Sequence, residues 1–352
     1  MKKLIFANNF YKLLESNELF ENFRRLKTSE ILVTTSLPLP RDRDTDFHKA
    51  MFPLPDINNF SNISFAEATD SRVNEIIAYA RSNELPIVVY WSGGIDSTVM
   101  LSAIIKHFPP DLLKRVSVWM TNASYIENPD FFKNVINKNN IAYTQYKEYD
   151  YTNAIILHGD PADSLWPGGA ILNISANTPD IYKQNIIKDN TDILRHYANL
   201  TDSNYAEWLY DYVLTSAINS NIKVTTYSDF LWWLIFNFSY PSMCLKHAGE
   251  LAVTTSTSAV SFNSYKQNFL LWYDTTLYQV WSIQAQYAGS KFDGTVRSYK
   301  MEAKEYIYEY DKNQWYRDYK TKIHSHYSTS IENNRISAIY EDGEIILNGR
   351  VS

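Results

Sequence analysis

The chain has 352 residues, 45% hydrophobic and 20% charged, with a formal net charge of −6. That length suits one large domain or two modest ones around a packed core, and the acidic balance argues against a general nucleic-acid binder while leaving room for a local basic groove. The single cysteine, Cys244, cannot close an internal disulfide or build a cysteine-rich metal site, and reads as a small buried hydrophobe. The start, Met1-Lys2-Lys3-Leu4-Ile5-Phe6, carries an apolar run too short for a signal peptide. Residues 1–85 read as an irregular, partly helical lead-in. Phe10, Leu13, Leu14, Leu19 and Phe23 have roughly helical spacing, and Pro38, Pro40, Pro53 and Pro55 forbid a long regular element between Leu37 and Asn58. Asp70 to Asn83 reads as a helix with Val73, Ile76, Ile77 and Ala80 on one face.

The pattern then changes. Ile87 to Trp91 is a β-branched and aromatic run that predicts a buried strand, and a helix follows from Ser97 to His107, stopped by Pro109 and Pro110. Val116 to Met120, Ile141 to Tyr146 and Ala154 to Leu157 read as three more strands, with a helix over Asp130 to Asn139. Alternation of strand and helix predicts a parallel sheet with helices on its faces. Beyond residue 180 the chain reads as mostly helical, with a strand at Lys223 to Thr226 and a terminal hairpin around Asp342-Gly343. Phe230 to Phe236 is very apolar but far short of the roughly 20 residues that cross a membrane, and reads as a buried helix. The expected division is a lead-in over 1–85, an α/β core over 86–245, and a mostly helical C-terminal part over 246–352. The expected compartment is the cytoplasm, with no membrane partner.

Between the first strand and its helix lies Ser92-Gly93-Gly94-Ile95-Asp96-Ser97-Thr98. Glycines let a backbone turn sharply and approach a ligand, and the N–H groups opening a helix attract phosphate. Ser92, Ser97 and Thr98 add hydroxyls. Asp96 would repel a phosphate unless a cation lay between them, so an aspartate in an anion cradle implies Mg²⁺. The bland alternative is a glycine-rich turn with Asp96 and Ser97 as helix caps. The loop fits neither the Walker pattern nor the dinucleotide fingerprint.

Ser-Gly-Gly-x-Asp-Ser after a first strand resembles the signature of the N-type ATP pyrophosphatases, the PP-loop superfamily. That resemblance implies an adenine nucleotide α-hydrolase-like fold, with ATP and Mg²⁺ as the cofactors and ATP cleaved between its α and β phosphates. His158-Gly159-Asp160-Pro161-Ala162-Asp163-Ser164-Leu165-Trp166-Pro167-Gly168-Gly169 is similar to a motif in the synthetase domain of asparagine synthetases, to which β-lactam synthetase is also related. It implies that Gly159 and Asp160 lie at the nucleotide and that Asp163 holds the metal together with Asp96. Pro161, Ser164 and the extra Pro167 depart from the motif, and the spacing from Asp96 to Asp163 is shorter than the family's.

The same family uses a C-terminal lysine to stabilise the leaving pyrophosphate. Lys300, Lys304, Lys320 and Lys322 are the candidates, although a lysine run is ordinarily a solvated face. A third, weaker likeness covers Leu270 to Asp274 and Tyr278 to Trp281, where the synthetases pack a helix beside the active site. Asp229 and Glu250 are candidates for a general base. His247, His324 and His326 read as surface histidines.

The N-terminal cysteine nucleophile of the glutaminase domain has no counterpart, and the lead-in is too short for that domain. The activity the resemblance implies is adenylation of a small-molecule carboxylate. The amide would then form with ammonia, an amine, or ammonia from a separate glutaminase partner. Alternatives are a PP-loop enzyme modifying a nucleoside or tRNA base, an ATP-binding regulatory protein without turnover, and an interaction protein on a recycled fold.

Overall fold

A computed structural model describes residues 2–7, 33–34, 41, 52–145, 153–167, 180, 183, 214–241, 243–244, 260–261, 267–289, 291–295, 297–320, 335–341 and 344–348. Five strands form one all-parallel sheet: β3 (Ile87–Tyr90), β4 (Val116–Met120), β5 (Ala142–Gln145), β6 (Ile155–His158) and β8 (Phe269–Leu271). Their order is β5-β4-β3-β6-β8. Ile87 pairs with Val116 on one side and with Ile155 on the other, which makes β3 the central strand. Its four residues are all buried, as expected of a parallel strand covered on both faces. The architecture is α/β.

Helices accompany this sheet. In chain order they are α1 (Phe65–Ser82), α2 (Ile95–His107), α3 (Pro110–Leu113), α4 (Asn122–Glu127), α5 (Pro129–Phe131), α6 (Thr215–Ile218), α7 (Tyr227–Leu234), α8 (Thr276–Tyr287), α9 (Met301–Asp311) and α10 (Gln314–Tyr319). α1 starts at a capping box in which the Ser64 hydroxyl accepts from the Glu67 N–H and the Glu67 carboxylate accepts from Ser64 N. Its inward face is Phe65, Ala68, Val73, Ile76 and Ala80, with Ile77 only half-buried. α2 packs against both α1 and α9, which also touch each other, and α8 packs on α1. Val99, Met100, Leu101 and Ile104 of α2 are fully buried. Burial of each such side chain contributes roughly 1.5–3 kcal/mol, so α2 is firmly anchored in the core.

The apolar stretch at residues 230–236 is a helix. Phe230 to Leu234 in α7 are fully buried all round, and the helix continues as a wider π-helical turn over Ile235–Ser239. Cys244 is buried too. Among the described residues no helix is long and apolar enough to cross a membrane.

The segment expected to be helical over Asp130 to Asn139 is helical, one α turn followed by a π-helical turn, Phe132–Asn137. Other expectations need correction. No strand forms over Lys223 to Thr226; that segment is the extended approach to Thr226, the N-cap of α7. The C-terminal part is not helical throughout. It supplies β8 to the parallel sheet, and it supplies β7 (Val260–Ser261), β9 (Arg335–Glu341) and β10 (Glu344–Asn348) to a second, antiparallel sheet. The lead-in supplies the other two strands of that sheet, β1 (Lys2–Ala7) and β2 (Val33–Thr34), in the order β2-β1-β9-β10-β7. The β1–β9 pairing joins the two ends of the chain, with Lys2 opposite Tyr340, and local composition carries no sign of it. β9 and β10 pair antiparallel, with Glu341 opposite Glu344, while Asp342 and Gly343, where the hairpin turn was expected, lie outside the described residues. The apolar pattern of Phe10 to Phe23, with Pro38 and Pro40, lies outside the described residues.

Candidate functional site

The sheet order runs from β3 outward to β4 and β5 on one side, and to β6 and β8 on the other. In open parallel sheets the crevice at such a reversal, beyond the C-terminal strand ends, is where ligands bind. Both motifs emerge there. The loop after β3 opens α2, and the loop after β6 carries Asp160 and Asp163.

Gly93 has φ of 78°, in the left-handed region, and a Cβ at this position would lie 2.4 Å from the Ser124 carbonyl oxygen and 2.8 Å from Glu127 Cβ. Only glycine suits both the dihedral and the space. Gly94 caps α2 without a side chain, so the first N–H groups of that helix, from Ile95 onward, have no intrahelical acceptor. Ile95 is buried and contributes through its backbone alone. Ser92 and Ser97 touch through their hydroxyls at 3.0 Å, and the Ser92 N–H donates to Ser97 Oγ at 3.1 Å. Thr98 departs from expectation. It is fully buried, its hydroxyl donates to the Gly94 carbonyl at 2.7 Å, and it accepts from Trp91 Nε1 at 3.1 Å. It shapes the loop from behind rather than facing a ligand.

The second loop presses against the first. A Cβ on Gly159 would stand 3.3 Å from the Ser97 nitrogen, so this glycine allows close approach to the first turn of α2. The Asp160 N–H donates to His158 Nδ1 at 3.2 Å. The Asp160–Pro161 peptide is cis. Asp163 sits in a 3-10 turn, Ala162–Leu165, beside Ser164, which is buried with a hydroxyl that has no hydrogen-bond partner among the described residues.

Asp96 and Asp163 converge on Lys300. Its Nζ donates to both carboxylate oxygens of Asp96 at 2.7 Å and to Asp163 Oδ1 at 2.5 Å. The lysine side chain is 3% exposed, against 25% for Asp96 and 41% for Asp163, so the ammonium lies beneath two carboxylates that reach the surface. Burial works against the charge on Lys300, but the two carboxylates outweigh it and hold the ammonium well above the usual lysine range. Lys300 adopts φ 51° and ψ 39° at the N-cap of α9, a left-handed conformation rarely taken by a lysine. The Trp166 and Tyr299 rings lie 5.2 and 5.8 Å from its Nζ.

The other candidates lie elsewhere. Lys304, one turn further along α9, is buried and donates to the Arg297 carbonyl at 2.7 Å; burial lowers its ammonium to about 8 despite the nearby Asp318. Lys320 is buried in an ion pair with Glu127 and also donates to the Glu127 carbonyl at 3.2 Å. That pair backs Gly93 and does not reach Asp163. Asp229 is a helix cap rather than a poised base: its carboxylate accepts from Thr225, Thr226 and Gln286 Nε2, the last at 2.7 Å. Lys322, Gly168, Gly169, His247, Glu250, His324 and His326 lie outside the described residues.

Three participants escaped the sequence reading. The Tyr273 hydroxyl, from the turn after β8, donates to the Asp96 carbonyl at 3.0 Å. Burial, with Tyr278 and Asp96 nearby, pushes that phenol well above its usual range, so it stays a neutral donor. Lys291 donates to the Leu165 carbonyl at 2.7 Å and to Ser282 Oγ at 2.9 Å, with the Trp232 ring 4.5 Å from its Nζ. Burial depresses it well below the ordinary lysine range although Glu302 and Asp229 pull the other way. Glu302 meets Trp166 Nε1 at 3.5 Å, and burial raises its carboxyl. The segment from Lys291 to Glu302 therefore clasps the Asp163 turn at Leu165, Asp163 and Trp166. Tyr273 and Trp166 stood inside stretches already singled out; Lys291 had no motif around it.

Comparison of the chain with known protein families, with characterised proteins and with solved structures gives no match.

Proposed function

We propose that this chain is an ATP-dependent ligase of the PP-loop type, related in chemistry to the asparagine synthetases. It would form AMP and pyrophosphate while joining a carboxylate to ammonia or an amine. The observation that carries the reading is the meeting of Asp96, Asp163 and Lys300 at the switch point of the sheet. Two carboxylates and a lysine, delivered by three separate segments onto the mouth of a glycine loop, suit a polyphosphate better than a structural ion pair. A buried pair placed there for stability alone would gain little over apolar packing.

The residues present fit Mg²⁺. Asp96 and Asp163 offer hard oxygen donors within reach of one cation, and Mg²⁺ is ordinarily held by one or two carboxylates together with substrate phosphates. Bound there, Mg²⁺ would neutralise charge on the leaving pyrophosphate.

The chain's own groups supply the rest. Backbone N–H groups from Gly93 to Ser97 receive the β and γ phosphates at the positive end of α2. Tyr273 holds the Asp96 backbone, so the loop keeps its shape as charge develops. A substrate carboxylate attacks the α-phosphorus, releasing pyrophosphate and leaving an acyl-adenylate. Lys300 stabilises the departing anion as a buried positive charge. Ammonia or an amine then attacks the acyl carbon and AMP leaves.

The test is product analysis of the full chain with Mg·ATP, pooled small carboxylates and ammonium. AMP and pyrophosphate are expected, and Asp96→Ala should abolish their formation while leaving the far-ultraviolet spectrum unchanged. ADP and phosphate as the main products would refute the cleavage position. Undiminished AMP formation by Asp96→Ala would refute the role of that carboxylate.

A further inference from the structure

Lys300 places a permanent positive charge where Asp96 and Asp163 converge. Both Asp96 oxygens and Oδ1 of Asp163 are committed to its Nζ. The local charge is then one ammonium against two carboxylates. A divalent cation arriving alone would turn that balance positive, within a few ångströms of an ammonium that is only 3% exposed. A cation arriving with phosphate oxygens brings its own negative charge. The lysine also has the means to yield. It leaves the chain at a left-handed residue, the N-cap of α9, and the Trp166 and Tyr299 rings offer its ammonium a second surface.

We propose that Lys300 and a divalent cation compete for Asp96 and Asp163, so that the ligand-free protein is closed to metal and opens only to metal carried by a polyphosphate. Displaced from the carboxylates, the ammonium turns to the incoming anion, so the step that admits the metal also arms the lysine. This deepens the reading of the same site as a polyphosphate site and rests on it. The lysine is thus both a lock against free metal and a ligand for the anion, and one substitution should move the two affinities in opposite directions.

The experiment titrates Mn²⁺, read by its electron paramagnetic resonance signal, into the full-length wild type, Lys300→Met and Lys300→Gln. Lys300→Gln keeps a hydrogen-bond donor between the carboxylates should the methionine variant fail to fold. Mn²⁺ alone should bind the wild type weakly and each folded variant roughly tenfold or more tightly, within the usual range of coupling between competing ligands. Adding Asp163→Asn to a Lys300 variant should abolish that gain. With pyrophosphate and Mn²⁺ together the order should reverse, the wild type binding pyrophosphate more tightly than either variant. Equal Mn²⁺ affinity in the wild type and a folded variant would overturn the competition. So would saturation of the wild type by micromolar Mn²⁺ without an anion, a measurement that needs no variant. A gain in Mn²⁺ affinity with no pyrophosphate binding by any form would keep the competition and overturn the polyphosphate reading.

Discussion

A single glycine shows how tightly the loop between β3 and α2 is drawn. Gly93 and Gly289 both sit at positive φ, 78° and 67°, but only Gly93 is crowded, since a Cβ at Gly289 would meet nothing within 4 Å. Gly289→Ala should therefore cost about 1–2 kcal/mol of left-handed strain, and Gly93→Ala should cost distinctly more because the Ser124 carbonyl must also move. Urea unfolding of the two variants separates the contributions, and equal losses would show that the loop relaxes without penalty. Lys304 offers a test by pH. Its folded-state value of about 8 lies below the ordinary lysine value of about 10.4, so the unfolded chain holds its proton more firmly. The penalty for burying the charged form is full below pH 8 and fades as pH rises toward the unfolded value. Relative to Lys304→Met, the wild type should gain stability between pH 8 and pH 10, and urea midpoints taken across that window for both proteins measure it. A gap between the two that stays constant across the window would mean that Lys304 keeps an ordinary pKa when folded.

Helix ends carry much of the order among the elements. α7 begins at a capping box in which the Thr226 hydroxyl accepts from the Asp229 N–H at 3.1 Å and the Asp229 carboxylate accepts from the Thr226 N–H at 2.8 Å. Thr226→Ala should cost about 1 kcal/mol in unfolding free energy. It should leave pyrophosphate binding unchanged, because the cap makes no contact with Asp96, Asp163 or Lys300. A matching loss of pyrophosphate affinity would tie α7 to the site instead. The same elements show what sequence can and cannot reveal. β3, β4 and β6 were legible because short β-branched runs ended at glycine or helix-start signals. β8 was not, since Phe269 to Leu271 is only three residues and is a strand only because β6 lies beside it. At the site, Asp96 and Asp163 were legible from their loops. Lys300, Lys304 and Lys320 were indistinguishable, because a lysine among tyrosines carries no sign of its depth, and all three are buried.

On the scale of the whole molecule, the question is where nitrogen would come from. Glutamine hydrolysis needs an activated nucleophile, most readily a thiolate at an accessible position. Cys244 is the chain's one thiol and is fully buried close behind the aromatic α7 region. We expect no glutamate from glutamine with this chain, and incorporation of ¹⁵N from ammonium but not from amide-labelled glutamine. Glutamate release that survives Cys244→Ala would reveal a nucleophile placed elsewhere in the chain.

The distance along the chain between the partners of Lys300 bears on how the protein is made. Lys300 stands 204 positions after Asp96 and 137 after Asp163. At a synthesis rate of about 5–20 residues per second, roughly 7–30 s separate the appearance of Asp163 from that of Lys300 on the ribosome. For most of that interval β6 has an open edge, since β8 has not yet been synthesised. The two carboxylates likewise have no lysine between them. Sheet closure and charge neutralisation then arrive within one short stretch, from Phe269 to Lys300. On the proposed reading, a nascent or prematurely terminated chain has the glycine loop but not the buried cation, so it would not cleave ATP before the fold is complete.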